Sequence, residues 1–272
     1  MRNRIIAFAF IILAAACSRN AITGRKQMAF FNEADIQSMA SDQYKQFLTT
    51  NKVIATTTSK DAEMVRRVGS KIATAITKYY TDQGLGKELE GYKWEYNLVD
   101  SKEVNAWCMP GGKIVVYSGL LPITQNEAAL AAVMGHEIAH ALAKHGNERM
   151  SQATVQQAGG IAVQVAVANK TPEAQNLFLN AFGVGSTLLG TLPFSRKHEL
   201  EADRLGLMYA AMAGYNPQEA IALWERMEKA SAGQKPPEFL STHPSEGTRI
   251  EQLKKYMPEA LKYYNSANSS KK

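Results

Sequence analysis

The chain has 272 residues, 45% of them hydrophobic and 21% charged, the make-up of an ordinary globular protein with material for one large domain or two small ones. Its formal charge of +6 is scattered, with no cluster of Lys and Arg interleaved with aromatics, which excludes a nucleic-acid platform.

Residues 1–16 have the form of an export signal: Arg2 and Arg4, an apolar run from Ile5 to Ala16, then small residues. Such a run is too short to span a bilayer comfortably. Ala14, Ala15, Ala16 and Cys17 resemble a bacterial lipobox in which Cys17 is acylated, although Ala14 stands where Leu is usual. Plain cleavage after Ala16 is the alternative. The lipoprotein reading places the chain in a bacterial cell envelope, facing the periplasm from the outer membrane and touching the membrane through its lipid alone. With Cys17 acylated no disulfide can form, and Cys108, the other cysteine, reads as a buried, inert thiol. Residues 17–31 then form a tether, residues 32–264 a single domain and residues 265–272 a disordered tail.

Asn32 followed by Glu33 and Asp35 opens a helix to about Leu48. A second helix, about Asp61 to Tyr80, follows from Met64, Val65, Val68, Ile72, Ala75 and Ile76 at helical spacing. From Tyr92 the period changes to two, and Tyr92, Trp94, Tyr96 and Leu98 mark a half-buried strand. VNAWCM and KIVVYSG, on either side of Pro110-Gly111-Gly112, predict a β-hairpin. A peptide substrate bound extended along the strand near Asn105 to Met109 is one reading, and an ordinary buried hairpin is the other.

The stretch TQNEAALAAVMGHEIAHALAKHG carries H-E-x-x-H as His136, Glu137 and His140. Thr124 with Glu127 suggests a capping box and Gly146 a helix stop, and the helix between them is apolar nearly all round, hence buried. Residues four apart share a helix face, so the two imidazoles can grip one zinc ion while Glu137, offset by one position, serves as general base. The alternative is a pair of satisfied core histidines. A catalytic zinc takes three protein ligands and an open position. Ala143 and Gly146 exclude the metzincin continuation, and His145, carried on the same helix, points away from the other two histidines. Residues 151–193 read as two apolar helices joined near Lys170-Thr171-Pro172-Glu173, either a mobile cover or a plain core hairpin. A helix from near Ser195 puts Glu199 and Asp203 on one side: Glu199 as third ligand, Asp203 to take a histidine N–H. Glu201 faces elsewhere, towards a Lys or Arg. Asn216, Pro217 and Glu219 open a further helix to about Ala230.

HEIAH followed by SRKHELEADRLG resembles the zinc endopeptidases of the CAAX prenyl protease and HtpX type, in their soluble periplasmic or lipoprotein branch, over roughly Glu63 to Met257. The resemblance implies an α+β, mostly helical zincin (gluzincin) domain with a small β-sheet beside the HExxH helix. It implies one Zn2+ per chain, with the Glu of E-x-x-x-D, here Glu199 with Asp203, as third ligand. A His-Pro loop with a downstream Arg near the active site points to His243 and Arg249, as fourth ligand or oxyanion stabiliser. Alternatively His243 and Pro244 merely cap the last helix. The function implied is endopeptidase action on protein or peptide substrates in envelope quality control, the alternative being a metal-stabilised chaperone or outer-membrane assembly factor with latent proteolysis.

Overall fold

The computed structural model describes residues 17–156, 169–182, 195–231, 237–243 and 249–269. Its elements are β1 (Cys17–Arg19), β2 (Lys26–Met28), α1 (Glu33–Thr50), β3 (Val53–Ile54), α2 (Lys60–Asp82), β4 (Glu95–Val99), β5 (Ala106–Met109) and β6 (Lys113–Tyr117). There follow α3 (Leu121–Thr124), α4 (Glu127–Leu142), α5 (His145–Gln156), α6 (Pro172–Ala181), α7 (Arg196–Met212), α8 (Glu219–Ser231), α9 (Glu238–Thr242) and α10 (Arg249–Ser269). The α+β class, mostly helical with a small sheet beside the HExxH helix, is the observed one.

Four strands form one sheet in the order β3-β4-β6-β5; β4 and β6 run parallel and the other neighbours antiparallel. The β5–β6 hairpin closes through Gly111 (φ 78°) and Gly112 (φ 79°), left-handed positions that favour glycine. A Cβ on Gly112 would also lie 2.6 Å from the Trp94 ring. The sheet is covered on both sides. Leu98, Ala106, Cys108, Ile114 and Val116 face α2 and α4; Val99, Trp107, Met109, Val115 and Tyr117 face α1 and α6 through Ile36, Met39, Tyr44 and Phe178. That two-sided burial explains the unbroken apolar run of β6, where a half-exposed strand would alternate.

The helix starts follow local chemistry. Asn32 caps α1 by accepting from Ala34 N, and Ser59 caps α2 by accepting from Ala62 N. The HExxH helix departs from expectation at both ends. Thr124 ends the preceding turn, Gln125 is left-handed (φ 64°), and Asn126 is the cap, accepting from Ala129 N. At the other end Lys144, not Gly146, takes the left-handed conformation (φ 59°). Gly146 lies inside α5, where a Cβ would stand 2.1 Å from the Phe182 ring.

α4 and α7 cross at glycine. A Cβ on Gly135 would lie 2.6 Å from Gly206 O, and one on Gly206 would lie 2.6 Å from His136 N. Two bare Cα atoms let the backbones touch and bring the polar groups of both helices into one buried layer.

Residues 17–31 are structured where a polar tether was expected: β1 pairs with β2, Asn20 accepts from Ile22 N and Thr23 N in the turn, and Asn20 and Gln27 are buried. The tail expected to be disordered from residue 265 continues α10 to Ser269. The signal segment lies outside the described residues, as do parts of the region read as a cover. No described helix is long and apolar enough to cross a membrane.

Candidate metal centre

His136 and His140 stand one turn apart on α4, with Glu199 and Asp203 across the glycine contact on α7. His243 follows α9, and Arg249 opens α10. All six and Glu137 are buried, none more than 4% exposed. His140 Nε2 lies 3.0 Å from His136 Nε2, which in turn lies 3.3 Å from His243 Nδ1. Glu199 closes the figure: Oε1 is 3.1 Å from His243 Nδ1 and 3.5 Å from His140 Nε2, and Oε2 is 3.4 Å from His136 Nε2.

One ligand atom from each of His136, His140, Glu199 and His243 fits within a span of 4.8 Å. Three imidazole nitrogens and a carboxylate oxygen are the donor set of a zinc site, and a tetrahedral zinc with bonds of about 2.0–2.1 Å spaces its ligand atoms about 3.3 Å apart. Glu199 Oε2 is buried with no hydrogen bond although the Arg249 guanidinium lies beside it, so it keeps a lone pair for a metal ion. The residues therefore fit zinc.

The surrounding contacts orient the donors. Asp203 Oδ1 is 2.9 Å from His136 Nδ1 and accepts from Arg249 Nη2 at 2.6 Å. Arg249 Nη1 lies 3.2 Å from Glu199 Oε2, and the guanidinium covers the Trp224 ring at 3.5 Å. Arg249, a candidate oxyanion stabiliser, is held against two carboxylates, where α10 packs on α7.

Burial lowers the His136 pKa, but the Asp203 hydrogen bond and Glu199 outweigh it and carry it up to about 9. Burial pushes His140 well down. Burial would raise Glu199, yet His243 and His136 hold it well below the ordinary carboxylate value. Glu137 is raised, chiefly by burial, which strengthens it as a base. Its Oε1 makes no hydrogen bond and lies 3.6 Å from His243 Nε2.

His145 corrects the expectation that it points away. The break at Lys144 swings its ring back, and His145 Nδ1 stands 2.9 Å from His140 Nδ1. Its Nε2 is 2.9 Å from Glu201 Oε2, and burial brings its pKa to about 4. Glu201 also meets an arginine, Arg25 of the N-terminal hairpin, at 2.5 Å. His198 stacks on His145 (4.4 Å, 20°) with its Nε2 3.0 Å from Glu148 Oε2, and Arg25 reaches the same Glu148 oxygen at 2.7 Å. His198, Glu148 and Arg25 escaped the sequence reading, and His145 was set aside by it. The available signal was a second histidine next to each ligand segment, five residues past His140 and one before Glu199.

The chain matches the model of peptidase family M48 over residues 59–257. It is 36% identical over 189 residues to mitochondrial metalloendopeptidase OMA1 of Saccharomyces cerevisiae, covering 67% of this chain and 52% of that protein. Bovine mitochondrial metalloendopeptidase OMA1 is 31% identical over 253 residues, 91% of this chain and 47% of its own length. The beta-barrel assembly-enhancing protease of Escherichia coli is 30% identical over 162 residues, 58% of this chain and 33% of its own. The chain thus spans about half or less of the length of these relatives. The relatives named as mitochondrial, from yeasts, a plant and animals, overturn the placement in a bacterial envelope. A short apolar leader with small residues before a cysteine is too weak a pattern to stand against them. With its paired motifs on α4 and α7, the chain belongs to peptidase family M48.

Proposed function

We propose that the chain is a zinc-dependent endopeptidase acting on misfolded or misassembled proteins. The observation that carries the activity is the convergence of His136, His140 and Glu199 beside a buried Glu137. The substrate class leans on the name of the Escherichia coli relative.

In this reading His136, His140 and Glu199 hold the metal. Zinc held there would supply Lewis acidity, acidifying the attacking water and polarising the scissile carbonyl. Glu137 takes the proton of the attacking water and returns it to the leaving amine. Asp203 fixes the ring of His136, and Arg249 fixes Asp203 and offsets the charge of Glu199.

His243 acts as a fourth ligand in a latent state. Its ring lies between Glu137 and the other donors, where the nucleophilic water must sit. The same short segment is tied to the chain beside the expected substrate strand: Phe239 N donates to Val104 O at 3.0 Å, just ahead of β5, the edge strand of the sheet. An extended peptide pairing near Asn105 to Met109 would displace that segment and the His243 ring with it.

Glu137→Gln tests the assignment: it retains about one zinc per chain by elemental analysis and loses cleavage of casein. Parental cleavage rates in this variant would remove Glu137 from the role. The closed donor set also favours a second reading, a metal-stabilised chaperone, since structural zinc sites are closed. Suppression of aggregation by Glu137→Gln at the parental level, in a parent that does not cleave casein, would select it.

A further inference from the structure

We propose that His145 and Glu201 are positioning residues for His140, setting its tautomer and ring orientation so that Nε2 presents its lone pair to the metal. The inference rests on the reading of His140 as a metal ligand.

The proton positions follow link by link. His140 Nε2 is the nitrogen turned to the cluster, 3.0 Å from His136 Nε2 and 3.5 Å from Glu199 Oε1. A neutral imidazole that gives this lone pair to a cation carries its proton on Nδ1. That Nδ1 lies 2.9 Å from His145 Nδ1, and two ring nitrogens at hydrogen-bond distance share one proton. Since His140 donates, His145 Nδ1 accepts, and the proton of His145 belongs on Nε2. His145 Nε2 lies 2.9 Å from Glu201 Oε2, an acceptor. The chain therefore runs from metal site to carboxylate through two imidazoles, each link fixing the next.

The far end is anchored by a different part of the molecule. Thr23 Oγ1 donates to Glu201 Oε1, and Arg25 Nε donates to Glu201 Oε2 at 2.5 Å, both from the β1–β2 hairpin region. The same guanidinium reaches Glu148 Oε1 at 3.1 Å and Oε2 at 2.7 Å. The ring of His198, with Nε2 at 3.0 Å from Glu148 Oε2, stacks on His145 and holds it in plane. His145 is fully buried, so water does not substitute for either partner. His136 has its carboxylate, Asp203, in direct reach; on His140 an imidazole is interposed because α5 begins between that ring and Glu201.

The test is the zinc affinity of the full chain, by competition with a chromophoric chelator, for the parent, His145→Leu, His145→Asn and His140→Ala. His145→Leu is expected to bind zinc about 10–100-fold more weakly. His145→Asn, whose amide oxygen can still accept from His140 Nδ1–H, is expected to recover most of that loss. Parental affinity in His145→Leu, with binding lost in His140→Ala, overturns the positioning role and leaves the metal reading standing. Parental affinity in His140→Ala overturns the metal reading itself. If His145→Leu does not fold, long-range proton–nitrogen spectra of the histidine rings in the zinc-loaded parent decide. A bare Nδ1 and protonated Nε2 on His145 support the proposal, and a protonated Nδ1 overturns it.

Discussion

Arg249 donates to Oδ1 of Asp203 at 2.6 Å, and that same oxygen stands 2.9 Å from His136 Nδ1. One carboxylate oxygen thereby ties the start of α10 to a ring on α4, and a second arm of the guanidinium reaches Glu199. Removing the shared carboxylate frees the His136 ring. Asp203→Ala is expected to weaken zinc binding by about 10–100-fold, read by chelator competition.

Arg249 neutralises two buried acids, Glu199 and Asp203, each 4% exposed. In the metal-free protein Arg249→Met leaves both without that counter-charge, and the cost of breaking such a pair is about 3–5 kcal/mol. A urea titration of metal-free parent and variant measures it. Added zinc should restore part of the loss, because the metal supplies the missing positive charge to Glu199.

The glycine crossing sets how closely α4 and α7 approach. In Gly206→Ala the new Cβ would meet His136 N at 2.6 Å and His136 Cα at 2.8 Å, backbone atoms that cannot swing aside. The expected penalty is about 1–3 kcal/mol. Thermal unfolding should show a lower Tm, and zinc affinity should fall with it, since the two ligand-bearing helices are forced apart.

His243 supplies the fourth donor of the cluster. His243→Ala is expected to keep zinc through His136, His140 and Glu199 and to cleave casein faster than the parent, since the position facing Glu137 opens to water. Slower cleavage at full zinc occupancy would assign His243 to catalysis and not to latency.

The N-terminal hairpin confers an acid sensitivity. Burial would raise the Glu148 and Glu201 carboxyls, but His198 and Arg25 hold the first at about 2, and His145, Thr23 and Arg25 hold the second at about 2. Both titrate near 4.5 when unperturbed. Folded values below the unfolded ones mean that the stability they contribute is complete above pH 4.5 and is lost as pH falls towards 2. In Arg25→Met that contribution shrinks, so the parent–variant gap in unfolding free energy should be widest near neutral pH and close through this window.

Much of the site was legible because a helix repeats every 3.6 residues. The i, i+4 pair His136 and His140 with Glu137 beside it needed only that period and the ligand requirements of zinc, and the same period allowed the pair Glu199 and Asp203, which the family resemblance then singled out. The hairpin around Gly111 and Gly112 was likewise local, written in positions where glycine alone is at ease. The reading failed where local signals competed. Thr124 and Asn126 both suit a cap, and Gly146 looked like a helix stop although its lack of a Cβ serves the contact with Phe182.

What the chain by itself determined is the identity and spacing of the groups, since covalent order and helical period fix which side chains share a face. What only the tertiary structure decided is which faces meet. Gly135 against Gly206 joins two segments distant in sequence into one donor set. The left-handed Lys144 turns His145 back onto His140, and Arg25 crosses from the N-terminal hairpin to hold Glu201. These contacts depend on packing between distant elements, where the energy of a buried charge or a close backbone approach outweighs any local preference.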